Sequence, residues 1–156
     1  MQNYHLAQIN VARMRASLDD PIMAEFKTAI DEINAIAERS PGFVWRLQNE
    51  SGDATEIRVY DDPKILVNMS VWQSTPQLKD YVYGSLHKDF FMRRRQWFEK
   101  FQGAHFGMWW VPVGKFPTAT IGREKIEYLT IHGESPECFT FKNLYSAPTK
   151  ESVIAT

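Results

Sequence analysis

The segment Ile65–Trp72, ILVNMSVW, limits most sharply what this chain can fold into. Successive side chains of a strand point to opposite faces, so Val67, Met69 and Val71 share one side and Leu66, Asn68, Ser70 and Trp72 the other. Residues 5–11, HLAQINV, repeat the arrangement, with Ala7, Ile9 and Val11 opposed to Leu6, Gln8 and Asn10. Two strands that each carry one apolar face and one mixed face require a sheet whose two sides meet different surroundings.

The rest of the chain supplies partners for such a sheet. Asp20 can cap a helix over residues 21–39, where Pro21 suits the first position and Ile22, Phe26, Ile30, Ile33 and Ala37 form one stripe; Ser40-Pro41-Gly42 ends it. Residues 43–48 read as a strand, 49–53 as a turn and 56–60 as an extension or return. A short helix over 75–83 follows a cap at Ser74, and Gly84 separates it from, or bends it into, a helix over 85–101. Residues 106–113 form the last long strand, whose end Pro112 confines to an edge or a sheet terminus. The order β-α-β-β-α-β defines an α+β, ferredoxin-like sheet. Beyond it we expect an added helix over 118–132 closed by Gly133 and a short terminal strand over 138–142. Residues 1–145 then make one domain, and 146–156 are expected to form a flexible polar tail.

Within residues 85–101, SLHKDFFMRRRQWFEKF, helical spacing puts Leu86, Phe90, Phe91, Trp97, Phe98 and Phe101 on one stripe, with His87 and Arg94 inside it. Seven residues are two turns, so His87 and Arg94 rise from nearly the same line, about 20° apart. A guanidinium against apolar surface needs a carboxylate, carbonyls, solvent in a cavity or an anionic ligand. A structural ion pair and a pocket-lining pair both satisfy that requirement.

Charge argues against nucleic acid as the main partner, because 18 Lys and Arg face 19 Asp and Glu. The single cysteine, Cys138, cannot form an internal disulfide. The first residues lack the charged and apolar regions of a signal peptide, and no apolar run approaches the roughly 18 residues that would span a bilayer. A cytoplasmic protein without a membrane partner is the expectation. His5, His87, His105 and His132 show no paired metal-ligand spacing, and there is no glycine-rich nucleotide loop or GxSxG element, so no metal site is expected.

Helices on one side of a four-stranded sheet leave the other side to be covered. We assign Gln8, Asn10, Arg46, Asn68, Ser70 and Trp72 to that second face, which is too polar for a core. Pairing of two such sheets in a homodimer would cover it. The segments HLAQINVAR, SPGFVWRL, DDPKILVNMSVWQS, SLHKDFFMRRRQWF and WWVPVG together resemble an uncharacterised domain family of the dimeric α+β barrel superfamily, related to the antibiotic-biosynthesis monooxygenases. The resemblance spans residues 4–142 and implies a dimeric barrel with a cavity in each subunit. In cofactorless quinone-forming members an Asn and a Trp four apart on the third strand bind substrate, and Asn68 and Trp72 have that spacing. The tyrosine that follows them there has no clear match, although Tyr81 and Tyr83 are close in sequence.

Three functions remain open on these residues. One is a small-molecule enzyme of cofactor-independent monooxygenase or cyclase/isomerase type, acting on an aromatic or polyketide-like substrate. There Trp72 would supply a flat wall, Asn68 a hydrogen bond to a carbonyl or enolate oxygen, His87 a proton transfer and Arg94 a countercharge. Gln8, Asn10, Arg46, Ser70, Tyr83 and Trp110 would bind the substrate, with no cofactor. The second is a haem-binding dimeric barrel in which His87 would be the proximal ligand beside Trp72. The third is a non-catalytic ligand-binding or interaction protein.

Overall fold

The computed structural model describes residues 3–48, 55, 57–84 and 92–149. Strand β1 (Tyr4–Met14) leads through a 3-10 turn (Pro21–Met23) into helix α1 (Ala24–Arg39). Strands β2 (Phe43–Arg46) and β3 (Ile65–Trp72) follow, then helix α2 (Thr75–Val82). A one-turn helix α3 (Arg94–Trp97) runs into the two-residue strand β4 (Phe98–Glu99), and β5 (Phe106–Pro112) and α4 (Ala119–His132) complete the order. The sheet is antiparallel and ordered β2-β3-β1, with β4 and β5 both pairing β1 along its other edge. This is the expected ferredoxin-like α+β topology with an added two-residue strand.

The caps predicted at Asp20 and Ser74 are present, accepting from the Ile22 and Gln77 N–H groups, and Thr118 likewise accepts from Ile121 at the start of α4, satisfying donors that a helix start leaves unpaired. Gly133, at φ +76°, ends α4 in a backbone region that L side chains avoid. Because the first turn at Pro21 is 3-10, Ile22 rotates off the α1 stripe and is 52% exposed, whereas Phe26, Ile33 and Ala37 are buried.

The cross-strand register sorts the sheet residues onto two faces. Ala7 opposes Val71, Ile9 opposes Met69 and Val11 opposes Val67, and this apolar face packs beneath Ala119 and Ile126 of α4. Gly122 allows the close approach, since a Cβ there would lie 2.7 Å from the Ile9 side chain. The opposite face carries Leu6, Gln8, Asn10, Asn68, Ser70 and Trp72, and it is this face that α1 and α2 cover. The mixed face is therefore not left open beyond the helices, as the sequence suggested. The apolar strand faces pack under α4 and not under the first two helices, which is why α1 and α2 lie on the mixed face.

Several local expectations also change. Residues 57–60 form no strand, and around Phe139 there are only single bridges, Met108 to Phe139 and Ser135 to Cys138, in place of a terminal strand. Residues 85–91 of the expected long helix lie outside the described residues. Its remainder stops being helical at Trp97, because Phe98 and Glu99 extend to pair Met14 and Arg13 of β1. Arg13 holds this junction by ion pairs to Glu99 and, at 2.6 Å, to Asp62. No described helix is long and apolar enough to cross a membrane.

Candidate active site

The helix-facing side of the sheet has two apolar clusters with a polar band between them. At one end Leu6, Trp72 and Met108 pack with Ala37, Leu78 and Phe139; at the other Met14 and Leu66 pack with Met23, Phe26 and Trp97. Gln8, Asn10, Asn68 and Ser70 lie between. Closing α1 and α2 onto that band would bury amides without enough partners, which costs more than an open space. A cavity of about 990 Å³ occupies this position, with Gln8, Asn10 and Asn68 in its floor and Asn34 of α1 opposite. Tyr81, Phe106, Phe141, Phe26 and Phe98 give it aromatic walls, Arg94, Lys79, Lys142 and Glu134 add charge, and His105 adds an imidazole.

A continuous hydrogen-bond network organises the floor. The Trp72 indole N–H donates to Ser70 Oγ at 2.8 Å, and Gln8 Nε2 donates to the same oxygen at 2.7 Å. Gln8 Nε2 also donates to Asn68 Oδ1 at 3.1 Å, as does Asn10 Nδ2 at 3.1 Å. Trp72 itself does not reach the cavity. It is completely buried, stacked under Tyr81 with ring centroids 4.9 Å apart and met edge-on by Phe43 at 5.6 Å. Tyr81 is thus the flat wall assigned in sequence to Trp72, and burial raises its phenol well above the usual tyrosine range, so it stays protonated.

The other expected site residues separate. Tyr83 lines the cavity and is 62% exposed at its rim, leaning on Phe141. Arg94 lines it from α3, but as an exposed side chain at the rim; the buried apolar stripe expected for it is replaced by the turn into β4. Ser70 is buried beneath the floor. Arg46 pairs with Glu38 at 2.8 Å and Trp110 donates to the Tyr145 carbonyl at 2.8 Å, neither of them in the cavity wall. His87 lies outside the described residues, so its pairing with Arg94 does too.

Sequence reasoning missed three contributors. His105 precedes β5 with part of its side chain open to solvent; partial desolvation, followed by the nearby Arg94 charge, lowers its pKa below the ordinary histidine value, leaving it neutral at pH 7. The shared position of Arg94 and His105 depends on long-range folding and had no signal in spacing. Asn34 is legible in retrospect, as the polar residue on the buried stripe of α1. Glu134 accepts from the Thr140 N–H at 2.6 Å, its hydroxyl at 2.7 Å and Asn143 at 2.8 Å, folding residues 134–143 into a turn that brings Phe141 to the wall. Burial alone would raise its pKa; the Thr140 and Asn143 side chains and the Thr140 backbone outweigh burial and hold it below the carboxylate reference.

Among the described residues no group of three His, Cys, Asp or Glu side chains could hold a metal ion. Cys138 is a buried thiol, pushed up to about 11 chiefly by burial, and so carries no ready nucleophile. In the haem alternative the neighbouring Trp72 has no free surface against which a porphyrin could lie.

Residues 5–155 match the family model described as "Domain of unknown function (DUF3291)", and the chain belongs to that family. No curated protein matches the sequence significantly. Solved structures similar to it include SnoaB, a cofactor-independent oxygenase from Streptomyces nogalater, at 16% identity and TM-score 0.47, covering 75% of this chain and 97% of that one. A candidate antibiotic biosynthesis monooxygenase from Nitrosomonas europaea is similar at 18% identity and TM-score 0.47, covering 76% and 98%. A Pseudomonas aeruginosa protein, PA3566, is similar at 8% identity and TM-score 0.48, covering 72% and 96%.

Proposed function

We propose that the cavity is the active site of a small-molecule enzyme that removes a proton from a carbon activated by a conjugated carbonyl of an aromatic or polyketide-like substrate, without a cofactor. The observation that carries this reading is the amide-floored, aromatic-walled space itself, which pairs flat apolar surface with a few convergent polar groups. Tyr81, Phe106 and Phe141 would bind the rings, and Asn68 would donate to the carbonyl oxygen. His105, neutral at pH 7, would accept the proton, and Arg94 would stabilise the resulting enolate. With O2 as oxidant, the enolate carbon takes up one oxygen atom as a carbonyl and the other leaves as water, giving a quinone from a methylene. Without O2, return of the proton to a different atom gives a cyclised or isomerised product.

Incubation of the purified protein with anthrones, tricyclic aromatic ketones with an activated methylene, tests this in air and under nitrogen. A product in which one oxygen replaces two hydrogens, formed in air and lost in Asn68→Ala, supports the oxygenase branch; rearrangement under nitrogen supports the other. Saturable binding with no product in either atmosphere would make the protein a carrier. The homodimer implied by the sequence resemblance belongs to the same proposal, although α1 and α2 already cover the mixed face first assigned to it. A monomeric mass by light scattering at micromolar concentration would remove the dimer and leave the cavity reading intact.

A further inference from the structure

The hydrogen-bond directions in the cavity floor limit what can bind there. Trp72 has only a donor, so Ser70 Oγ accepts from it. The two hydrogens of the Gln8 amide go to Ser70 Oγ and Asn68 Oδ1, and Asn10 Nδ2 also donates to Asn68 Oδ1. Both lone pairs of that oxygen are therefore engaged. Asn68 Nδ2 makes no hydrogen bond to any described residue, and Asn68 lines the cavity. Turning the Asn68 amide over by itself would set an NH2 against two donating NH2 groups, so its orientation is tied to those of Gln8 and Asn10.

We infer that Gln8 is a positioning residue which, anchored through Ser70 to the Trp72 indole, presents Asn68 to the cavity as a donor only, so that the site takes a carbonyl or enolate oxygen and rejects a donor at that point. Gln8 is 4% exposed, with its amide committed to the network. Its effect on a ligand is exerted through Asn68. The inference rests on the cavity being the binding site and adds the polarity of the group that it accepts.

Three tricyclic probes of similar shape separate the possibilities: 9-fluorenone carries only an acceptor, carbazole only a donor and fluorene neither. Affinities measured by quenching of tryptophan fluorescence should favour fluorenone over carbazole by about tenfold, the scale of one buried donor left unmatched. In Asn68→Asp, Oδ1 keeps both of its donors and the second oxygen turns the cavity group into an acceptor, so the preference should reverse towards carbazole. In Gln8→Met, of similar length but without donors, the ratio of fluorenone to carbazole affinity should shrink to within about threefold. That last result keeps the inference testable should Asn68→Asp fail to fold. Equal affinity of the wild type for fluorenone and carbazole, or an undiminished preference in Gln8→Met, would overturn it. Failure of all three probes to bind would instead remove the cavity as a binding site, and the proposed function with it.

Discussion

At the scale of single residues, one constraint is steric. A Cβ on Gly107 of β5 would sit 2.5 Å from Cys138 Sγ, an atom on a short side chain with nowhere to swing. Gly107→Ala should therefore cost about 1–3 kcal/mol by overpacking, read as a shift in the urea midpoint at constant slope. Adding Cys138→Ala should recover most of that loss, since it removes the atom that clashes; simple additivity of the two costs would show that they do not meet. His105 supplies a second expectation. Its pKa lies below the ordinary value of 6.5, chiefly through partial desolvation and then through Arg94, so the neutral base is lost only as pH falls below 6.5. The acid limb of the rate on an anthrone substrate should fall below pH 6.5 and disappear in His105→Gln, with a limb unchanged by the substitution assigning the base elsewhere.

At the scale of elements, legibility in the sequence followed periodicity. β1, β3, α1, α2 and α4 were readable because alternation or helical spacing runs through the whole element and Asp20, Ser74 and Gly133 punctuate it. The α3-β4 junction was not, since its aromatic spacing fits a helix as well, and only pairing of Phe98 and Glu99 with β1 ends it. The polar band of Gln8, Asn10, Asn68 and Ser70 was legible from alternation alone; which helices cover it was not, because face assignment needs the position of α4. A one-turn helix has no stability of its own, so α3 depends on Trp97. That side chain is 1% exposed, packs 5.8 Å from Phe26 and lies under the Arg93 guanidinium at 4.9 Å. Trp97→Ala should cost about 3–5 kcal/mol in chemical unfolding. A loss below about 1 kcal/mol would mean that the α3-β4 turn is held by other contacts.

At the scale of the whole molecule, the cavity is completed by a segment that follows the ferredoxin-like unit. Residues 134–145 return along β5, with Phe139 bridging Met108, Phe141 stacked on Phe106 at 5.4 Å and the Tyr145 carbonyl accepting from Trp110. Glu134 ties the start of this return through three hydrogen bonds. Its pKa in the fold is below the 4.5 reference, so the folded state favours the carboxylate. The stabilisation is thus complete above pH 4.5 and is lost as pH falls through the lower folded value. Glu134→Gln sets an NH2 towards Asn143 Nδ2, two donors face to face, and removes the titrating group. The variant should therefore be less stable than wild type at pH 7, with the difference narrowing as pH drops from 5 to 3, measured by urea unfolding at each pH. Probe binding should weaken in parallel, because the same turn carries Phe141 into the cavity wall. A difference between the two proteins that stays constant across that range would show that protonation of Glu134 does not govern the hold of this segment on the cavity.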